Sequence, residues 1–221
     1  MFFVQGLNVR PDNTHGFTLL ELLVVLTLLI IVSGSALFMY EGLETQGRDD
    51  TVRFEMAQMR NALLQFRRDS GSRDFPGQGI YDCDDDPSAD SNIINPDIEP
   101  QLPSIVASLT SAEKVAWCRS IANFWMLFQD PLAKGWNRDT HRGWNGPYLR
   151  QKNPPFDFKN NPAVWGINDT YGNPYRLLDA GDTDKARIVS TGSDAVYDGL
   201  NTTTPCAAPV NSDDLVLCLN R

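Results

Sequence analysis

The sequence predicts an α+β protein in which one long N-terminal helix packs against a small antiparallel sheet. Two observations support this fold class. First, no proline occurs between Pro11 and Pro76, and this interval includes a continuous apolar run. Second, the C-terminal half contains short apolar segments separated by Gly, Pro, Asn and Asp, which is the pattern of strands joined by turns.

The apolar run extends from Phe17 to Tyr40 and contains one charged residue, Glu21. At about 1.5 Å per residue, a helix of this length spans the roughly 30 Å hydrocarbon core of a bilayer. We therefore expect residues 17–40 to form a transmembrane helix. Because an acid inside such a segment is costly, we expect Glu21 to have a partner.

An amphipathic continuation of this helix is predicted over residues 41–70. Its apolar residues recur at helical spacing, with charged residues between them. They are Val52, Met56, Met59, Leu63 and Phe66. The Ser70-Gly71-Ser72 stretch is expected to end the helix.

The residues that follow, 71–221, are predicted to form a globular head that begins with an irregular acidic insertion at about 71–110. This insertion is rich in Pro, Asp, Ser and Asn, which favour turns and loops. Three of its acids alternate with other residues, as they do at the start of a calcium-binding loop. They are Asp82, Asp84 and Asp86. The glycine and the glutamate that such a loop needs are absent, so we interpret the segment as a solvated acidic loop.

Within the head, Thr110 to Glu113 match a capping box and predict the start of a helix. An apolar face follows at helical spacing, formed by Val115, Cys118, Ile121, Ala122, Trp125 and Phe128. Three short strands are predicted near 174–178, 185–190 and 214–219. We expect them to form an antiparallel sheet against the first helix.

The charge and the motif content of the chain exclude several classes of function. The formal net charge is −9 and the pI is ≈ 4.6, so we expect no nucleic-acid binding, which needs a basic surface. No G-x-S-x-G or other nucleophile motif surrounds any serine, and His141 is the only histidine after residue 16. We therefore expect no enzymatic activity and assign no catalytic residue.

The four cysteines are Cys83, Cys118, Cys206 and Cys218. They include no C-x-x-C pair, which argues against a zinc site. An even number of cysteines beyond a membrane segment suggests two disulfides in an oxidising compartment. Three pairings are possible. We favour Cys83–Cys118 with Cys206–Cys218, because the second bridge then stays local in the sequence.

Three interpretations of the N-terminal segment compete. A secretory signal peptide would be cut near Ser33 to Ala36, whereas a signal anchor would keep the whole segment. In the third interpretation a leader peptide, residues 1–16, is removed before the apolar run. The junction Gly16-Phe17-Thr18-Leu19-Leu20-Glu21 favours the third, because it resembles the cleavage and methylation signature of type IV prepilins and type II secretion pseudopilins.

This resemblance implies that a prepilin peptidase cuts after Gly16 and methylates the new amine of Phe17. On a neighbouring subunit, that amine would supply the partner that Glu21 needs. Members of the family are lollipop-shaped subunits that self-associate into a helical filament. They are anchored in the bacterial inner membrane by a single pass, with the C-terminal domain in the periplasm. The implied partners are other pseudopilins, an inner-membrane platform protein and the prepilin peptidase.

The C-terminal half resembles the major (G-type) pseudopilin of type II secretion in four blocks: GWNGPYL, DTYGNPYRLL, IVSTGSDAVYDG and NSDDLVLCLN. In that family the final loop binds calcium, and the resemblance implies a Ca²⁺ site here. Its ligands would be the carboxylates of Asp194, Asp213 and Asp214, with backbone carbonyls near Thr191 and Ser212. The implied function is a periplasmic pseudopilus that drives the export of folded proteins.

A type IV pilin or minor pilin, serving adhesion, motility or DNA uptake, is the alternative function. Many relatives carry a proline late in the membrane segment, whereas this chain has Leu37, Phe38 and Met39 there. A Cys206–Cys218 bridge would also resemble the C-terminal disulfide loop of type IV pilins. The sequence alone leaves both functions open.

Overall fold

The computed structural model describes residues 17–72, 74–86, 91–150, 157–158, 162–182, 184–199 and 206–220, with the backbone alone for residues 36–42. The fold is α+β, as the sequence predicts, and combines one long N-terminal helix with small antiparallel sheets. The chain divides into two compact units, Met1–Gln46 and Gly47–Arg221. The predicted leader lies outside the described residues.

Helix α1 extends from Leu19 to Ser70 and contains 52 residues. Its sequence has no proline, so each amide is available for the hydrogen-bond pattern of an α-helix. The helix ends where Gly71 adopts a φ of +71° and its amide donates to the Arg68 carbonyl oxygen at 3.3 Å. Glycine adopts this left-handed conformation without strain, so the predicted end of the helix is confirmed.

The first unit contains the N-terminal half of α1. The large apolar side chains that the structure describes there are exposed, for example Leu19 at 84% and Val24 at 46%. The hydroxyls of Thr27 and Ser35 donate to carbonyl oxygens one turn earlier in the helix, so these polar groups are satisfied locally. Over the residues that the structure describes, no helix is both long enough and apolar enough to cross a membrane.

In the second unit, α1 buries the apolar face that its periodicity predicts. Val52, Met56, Met59, Leu63 and Phe66 are each at most 2% exposed. They share one core with residues of later elements, including Trp117, Trp125, Tyr175 and Ile188. Burying one large apolar side chain contributes roughly 1.5–3 kcal/mol relative to its exposure, so this face holds the helix against the head.

The second unit contains a short hairpin and a three-stranded sheet. The hairpin pairs β1 (Trp136–Asn137) with β2 (Arg142–Gly143). The sheet has the order β3-β4-β5, formed by Arg176–Leu178, Arg187–Ser190 and Leu215–Cys218. All pairs are antiparallel, which confirms the three predicted strands, each shorter than predicted. Every residue of the central strand β4 is buried.

Between α1 and the next helix, the residues that the structure describes form irregular structure with three 3₁₀ turns. They lie at Gly79–Tyr81, Glu99–Gln101 and Ser104–Val106. This segment is part of the core: Phe75, Tyr81, Ile94, Ile98 and Val106 are all buried. The acidic insertion therefore contributes side chains to the hydrophobic core of the head.

The expectation that Asp82 and Asp84 belong to a solvated loop is wrong, because they are 9% and 1% exposed. Arg119 explains their burial. Its guanidinium donates to Asp82 Oδ1 at 2.6 and 2.9 Å and lies 3.6 Å from Asp84 Oδ2. A hydrogen bond from Ser91 is the main cause that lowers the pKa of Asp84, so that carboxyl is charged at neutral pH.

Helix α2 extends from Ser111 to Cys118 and begins with the predicted capping box. Thr110 Oγ1 accepts a hydrogen bond from the Glu113 amide at 3.4 Å, and Glu113 Oε2 accepts one from the Thr110 amide at 2.8 Å. The two bonds satisfy amides that the first helical turn leaves without a partner.

The predicted continuation of this helix through Phe128 is wrong. A separate 3₁₀ turn forms at Trp125–Leu127 instead. Asn123 explains the early end, because its side-chain amide donates to the Trp117 carbonyl at 2.9 Å and its backbone amide donates to Ser120. Side chains that bond to nearby carbonyls in this way compete with the helical pattern.

Both favoured disulfides are present. Cys83–Cys118 connects the acidic insertion to the end of α2, with the two Cα atoms 6.1 Å apart. Cys206–Cys218 closes the loop that precedes β5, with the Cα atoms 5.5 Å apart. Closing a loop of this size contributes about 3 kcal/mol, mainly by restricting the unfolded chain.

Candidate functional site

The N-terminal candidate site lies where α1 begins. Thr18 caps the helix: its hydroxyl oxygen accepts the Glu21 amide at 3.2 Å, and its carbonyl oxygen accepts the amides of Glu21 and Leu22 at 3.1 and 3.2 Å. Glu21 therefore occupies the third position of the first turn. The capping role of Thr18 was not predicted, although residues 18–21 have the T-x-x-E spacing of a capping box.

This position gives the Glu21 carboxylate a local electrostatic setting. The first turn of a helix carries partial positive charge, which favours an acid there. The side chains of Phe17 and Glu21 are exposed, and no Lys, Arg or His occurs between Phe17 and Gly47. Any full positive charge that meets Glu21 must therefore come from a chain terminus or from outside this segment. Gly16, the predicted cleavage residue, lies outside the described residues.

The C-terminal candidate site depends on a tight turn in the DTYGNPY block. Asp169 Oδ1 accepts the amides of Tyr171 and Asn173 at 2.9 and 2.8 Å. Its Oδ2 accepts the Ser190 hydroxyl at 2.6 Å, and the Asn173 side chain donates to the Gly192 carbonyl at 2.7 Å. The buried Asp169 carboxylate thus shapes the turn and fixes it to the end of β4.

Two tyrosines of the same block attach it to α1. The Tyr171 hydroxyl donates to Asp49 Oδ1 at 2.6 Å, and the Tyr175 hydroxyl donates to Glu55 Oε2 at 2.9 Å. Burial, followed by the bond to Asp49, raises the pKa of Tyr171 to about 12, so this hydroxyl stays a donor at any physiological pH. These two hydrogen bonds therefore fix the DTYGNPY block on α1, and the block in turn holds the start of the C-terminal loop.

The loop after β4 is held by Asp213. Asp213 Oδ2 accepts the Ser193 amide at 2.6 Å, the Ser193 hydroxyl at 2.7 Å and the Asp194 amide at 3.2 Å. Burial opposes its ionisation, but these hydrogen bonds prevail and lower the pKa of Asp213. Gly192 is required here, because its φ is +57° and an added Cβ would lie 2.5 Å from the Asp213 side chain.

Asp214 has the opposite environment. It is 4% exposed, its Oδ2 accepts the Asp198 amide at 2.9 Å, and its Oδ1 is buried without a hydrogen-bond partner. Burial raises the pKa of Asp214. Ser190 pairs with Leu215 in the sheet, so Thr191 and Asp214 are the next cross-strand neighbours. The Thr191 hydroxyl is also buried without a hydrogen-bond partner.

The remaining predicted ligands have local roles in the same loop. Asp194 is exposed, and its Oδ1 accepts the Val196 amide at 2.8 Å. The Ser212 hydroxyl accepts the Asp214 amide at 3.1 Å. Over the described residues, no group of three or more His, Cys, Asp or Glu side chains is arranged to hold a metal ion. The structure thus brings the predicted residues into one loop, where Thr191 and Asp214 present the two unsatisfied oxygens.

His141 lies in the turn of the β1–β2 hairpin, where it is exposed and has a φ of +53°. Its ring contacts the Trp136 ring edge-on, with the centroids 6.3 Å apart. His141 is therefore a turn residue that packs on a neighbouring aromatic ring.

Comparison with protein-family models identifies the N-terminal segment. Residues 12–37 match the family described as the prokaryotic N-terminal methylation motif. This segment is the N-terminal motif of type IV pilins and pseudopilins. Searches of characterised proteins and of solved structures found no match.

The motif has direct consequences for this chain. It is the motif of a structural subunit and not of an enzyme, in agreement with the expectation from the sequence. The motif implies processing by a prepilin peptidase and self-assembly of the subunits. It also implies anchoring in the inner membrane with a periplasmic domain. Two disulfides suit such a compartment, because it is oxidising.

The contrast between the two adjacent acids predicts stability changes of opposite sign in the absence of divalent metal. Because the folded-state pKa of Asp214 is raised, the stability linked to this group is lost as the pH rises through that pKa. Asp214→Asn should therefore raise the free energy of unfolding at neutral pH, by about 1 kcal/mol, with a smaller gain in acid.

Asp213→Asn is the matched control. Its lowered pKa contributes stability above the ordinary range of aspartate, and this stability is lost as the pH falls. The substitution should therefore destabilise the protein at neutral pH. Denaturant unfolding in EDTA across the acid-to-neutral range measures both variants, and a pair of variants that shift in the same direction would contradict this assignment.

Proposed function

We propose that this chain is a pseudopilin of a type II secretion system. It would assemble with other pseudopilins on an inner-membrane platform protein, and the growing periplasmic filament would drive the export of folded proteins. The observation that carries the proposal is the convergence of three of the four G-type resemblance blocks. The DTYGNPYRLL block contains β3, the IVSTGSDAVYDG block contains most of β4, and the NSDDLVLCLN block contains β5.

These blocks meet at one loop, which is the second reason for the proposal. The turn at Asp169, which precedes β3, bonds to Ser190 at the end of β4. Asp213, which precedes β5, bonds to Ser193, which follows β4. Hydrogen bonds at the loop between β4 and β5 therefore connect residues next to all three strands. Such a loop can present one defined surface to a neighbouring subunit without catalysing any reaction.

For the N-terminus, we propose cleavage after Gly16 and methylation of Phe17. The amine of Phe17 on one subunit would then pair with Glu21 of its neighbour. Glu21 suits this role because its side chain is exposed in the first turn of α1 and no cationic side chain lies nearby in the sequence. In a low-dielectric surrounding, such a pairing offsets part of the cost of a buried carboxylate.

A type IV pilin or minor pilin is the second candidate function. It is favoured by the proline-free course of α1 from Leu19 to Ser70 and by the Cys206–Cys218 disulfide that closes the C-terminal loop. A filament of this kind would serve adhesion, motility or DNA uptake.

Deletion of this gene alone distinguishes the two functions. A secretion pseudopilin predicts the loss of several folded proteins from the culture medium and their retention in the periplasm, with restoration by the plasmid-borne gene. His141→Ala serves as a control that should restore secretion fully. An unchanged set of secreted proteins, together with a loss of surface filaments or of motility, would contradict the secretion assignment and support the alternative.

We further propose that the C-terminal loop binds Ca²⁺. The buried Asp214 Oδ1 and Thr191 Oγ1 lack hydrogen-bond partners, and a hard cation prefers such oxygen donors. The carboxylates of Asp194 and Asp213 and the carbonyls near Thr191 and Ser212 would complete the shell. When bound, the ion would neutralise the adjacent acids and order the loop between the strands.

Calcium should then raise the melting temperature of the wild-type protein, and EDTA should reverse the gain, because a ligand that binds only the folded state stabilises it. Asp214→Asn should abolish the response, whereas Asp82→Asn, in the acidic insertion, should leave it intact. Thermal unfolding with increasing Ca²⁺ measures both variants, and Mg²⁺ tests the specificity. Equal calcium responses of the wild type and Asp214→Asn would rule out this site.

A further inference from the structure

One exposed aromatic side chain distinguishes the solvent-facing side of α1. Among the large apolar residues described as exposed from Gly47 onward, Phe54 is the only aromatic one, and it is 64% exposed. Asp50, one helical turn earlier, and the adjacent Arg53 are also exposed. A single exposed aromatic residue is common on protein surfaces, so a binding role for Phe54 requires a site that can receive its ring.

The same unit contains such a site. A cavity of ≈ 330 Å³ opens beside α1 and is lined by Glu55, Gln58, Met59, Tyr148, Leu149, Arg150 and Ile167. Its apolar wall is formed by Met59, Leu149 and Ile167, whereas Gln58 and Arg150 are exposed at its edge. This volume is at the low end of the range for ligand pockets, and it is large enough to admit an aromatic side chain.

We propose that Phe54 of one subunit inserts into this cavity on a second copy of the chain. The charges at the two elements allow a complementary pair. Asp50 and Arg53 flank the inserted ring, and Glu55 and Arg150 line the cavity that receives it. In this contact Asp50 pairs with Arg150. Neither Asp50 nor Arg150 forms an ion pair within the described residues. The contact thus buries an aromatic side chain and pairs two exposed charges, as interface anchors typically do.

We place the contact head to tail, with the ring of each subunit in the cavity of the next. Phe54 itself does not line the cavity, although its helix neighbours Glu55 and Gln58 do. A head-to-tail contact is heterologous, and it leaves one unused ring and one unused cavity at the two ends of each assembly. When such a contact does not close into a ring, the assembly continues as a filament. The interface rests on the self-assembly in the proposed function and is independent of whether the filament serves secretion or adhesion.

The test measures sedimentable filaments formed by the full-length chain in membranes that contain the prepilin peptidase. Phe54→Ala should lower the filament yield by about tenfold or more, because each subunit contact loses one buried aromatic side chain. Val210→Ala is the matched control: Val210 is 84% exposed and lies outside the proposed contact, so its yield should not change. The melting temperature and both disulfides establish that each variant is folded.

A charge exchange tests the pairing directly. Asp50→Arg and Arg150→Asp should each lower the filament yield, because each places like charges together at the contact. The double variant Asp50→Arg/Arg150→Asp should recover most of the wild-type yield, as a double-mutant cycle of an interacting pair does. Both positions are exposed, so the fold should tolerate the exchanges.

Three results would overturn this interface. One is a Phe54→Ala protein that forms filaments like the wild type, and another is a double charge variant no better than its worse parent. The third is a closed dimer as the only product, since that would require two reciprocal contacts. In each case, filaments formed by the wild type would still support the proposed function, because only the contact would be contradicted. If the wild type itself formed no filaments, both the proposed function and the interface would be contradicted.

Discussion

The structure of the head depends on the burial of one face of α1. Val52, Met56, Met59, Leu63 and Phe66 are almost completely buried, and they set the rotation of the helix against the sheet and the insertion. This rotation brings Asp49 and Glu55 to the tyrosines of the DTYGNPY block. These partly buried hydrogen bonds add little net stability, so the apolar face stabilises the packing and the hydrogen bonds fix the position of the block along the helix.

The turn at Asp169 transmits this geometry to the C-terminal loop. Its carboxylate bonds to its own turn and to Ser190 at the end of β4, next to the loop where Asp213 and Asp214 lie. There the two acids diverge. Asp213 is stabilised as a carboxylate by loop amides, whereas burial disfavours the charge of Asp214. Asp213 therefore shapes the loop, whereas Asp214 keeps one buried oxygen without a hydrogen-bond partner.

Local patterns in the sequence predicted the elements whose determinants are close together in the chain. The stripe on α1, the Thr110–Glu113 capping box and the strands near β3, β4 and β5 were all readable from spacing alone. The environment of Asp82 was not, because its partner Arg119 lies 37 residues away. The early end of α2 was also missed, since it depends on the side chain of Asn123. The roles of Asp169, Asp213 and Asp214 likewise depend on contacts between strands that no single segment displays.

The N-terminal segment and the head have separate determinants, and the central claim is that proteolytic processing produces the filament-forming subunit. Thr18 and Glu21 begin α1 immediately after the predicted cleavage site, so the new amine would stand beside the first helical turn. The most direct measurement is the intact mass and N-terminal sequence of the protein after expression with and without a prepilin peptidase. We predict a mature chain that begins at a methylated Phe17 only when the peptidase is present. A chain that stays uncut in its presence, or one cut near Ser33 to Ala36, would contradict it.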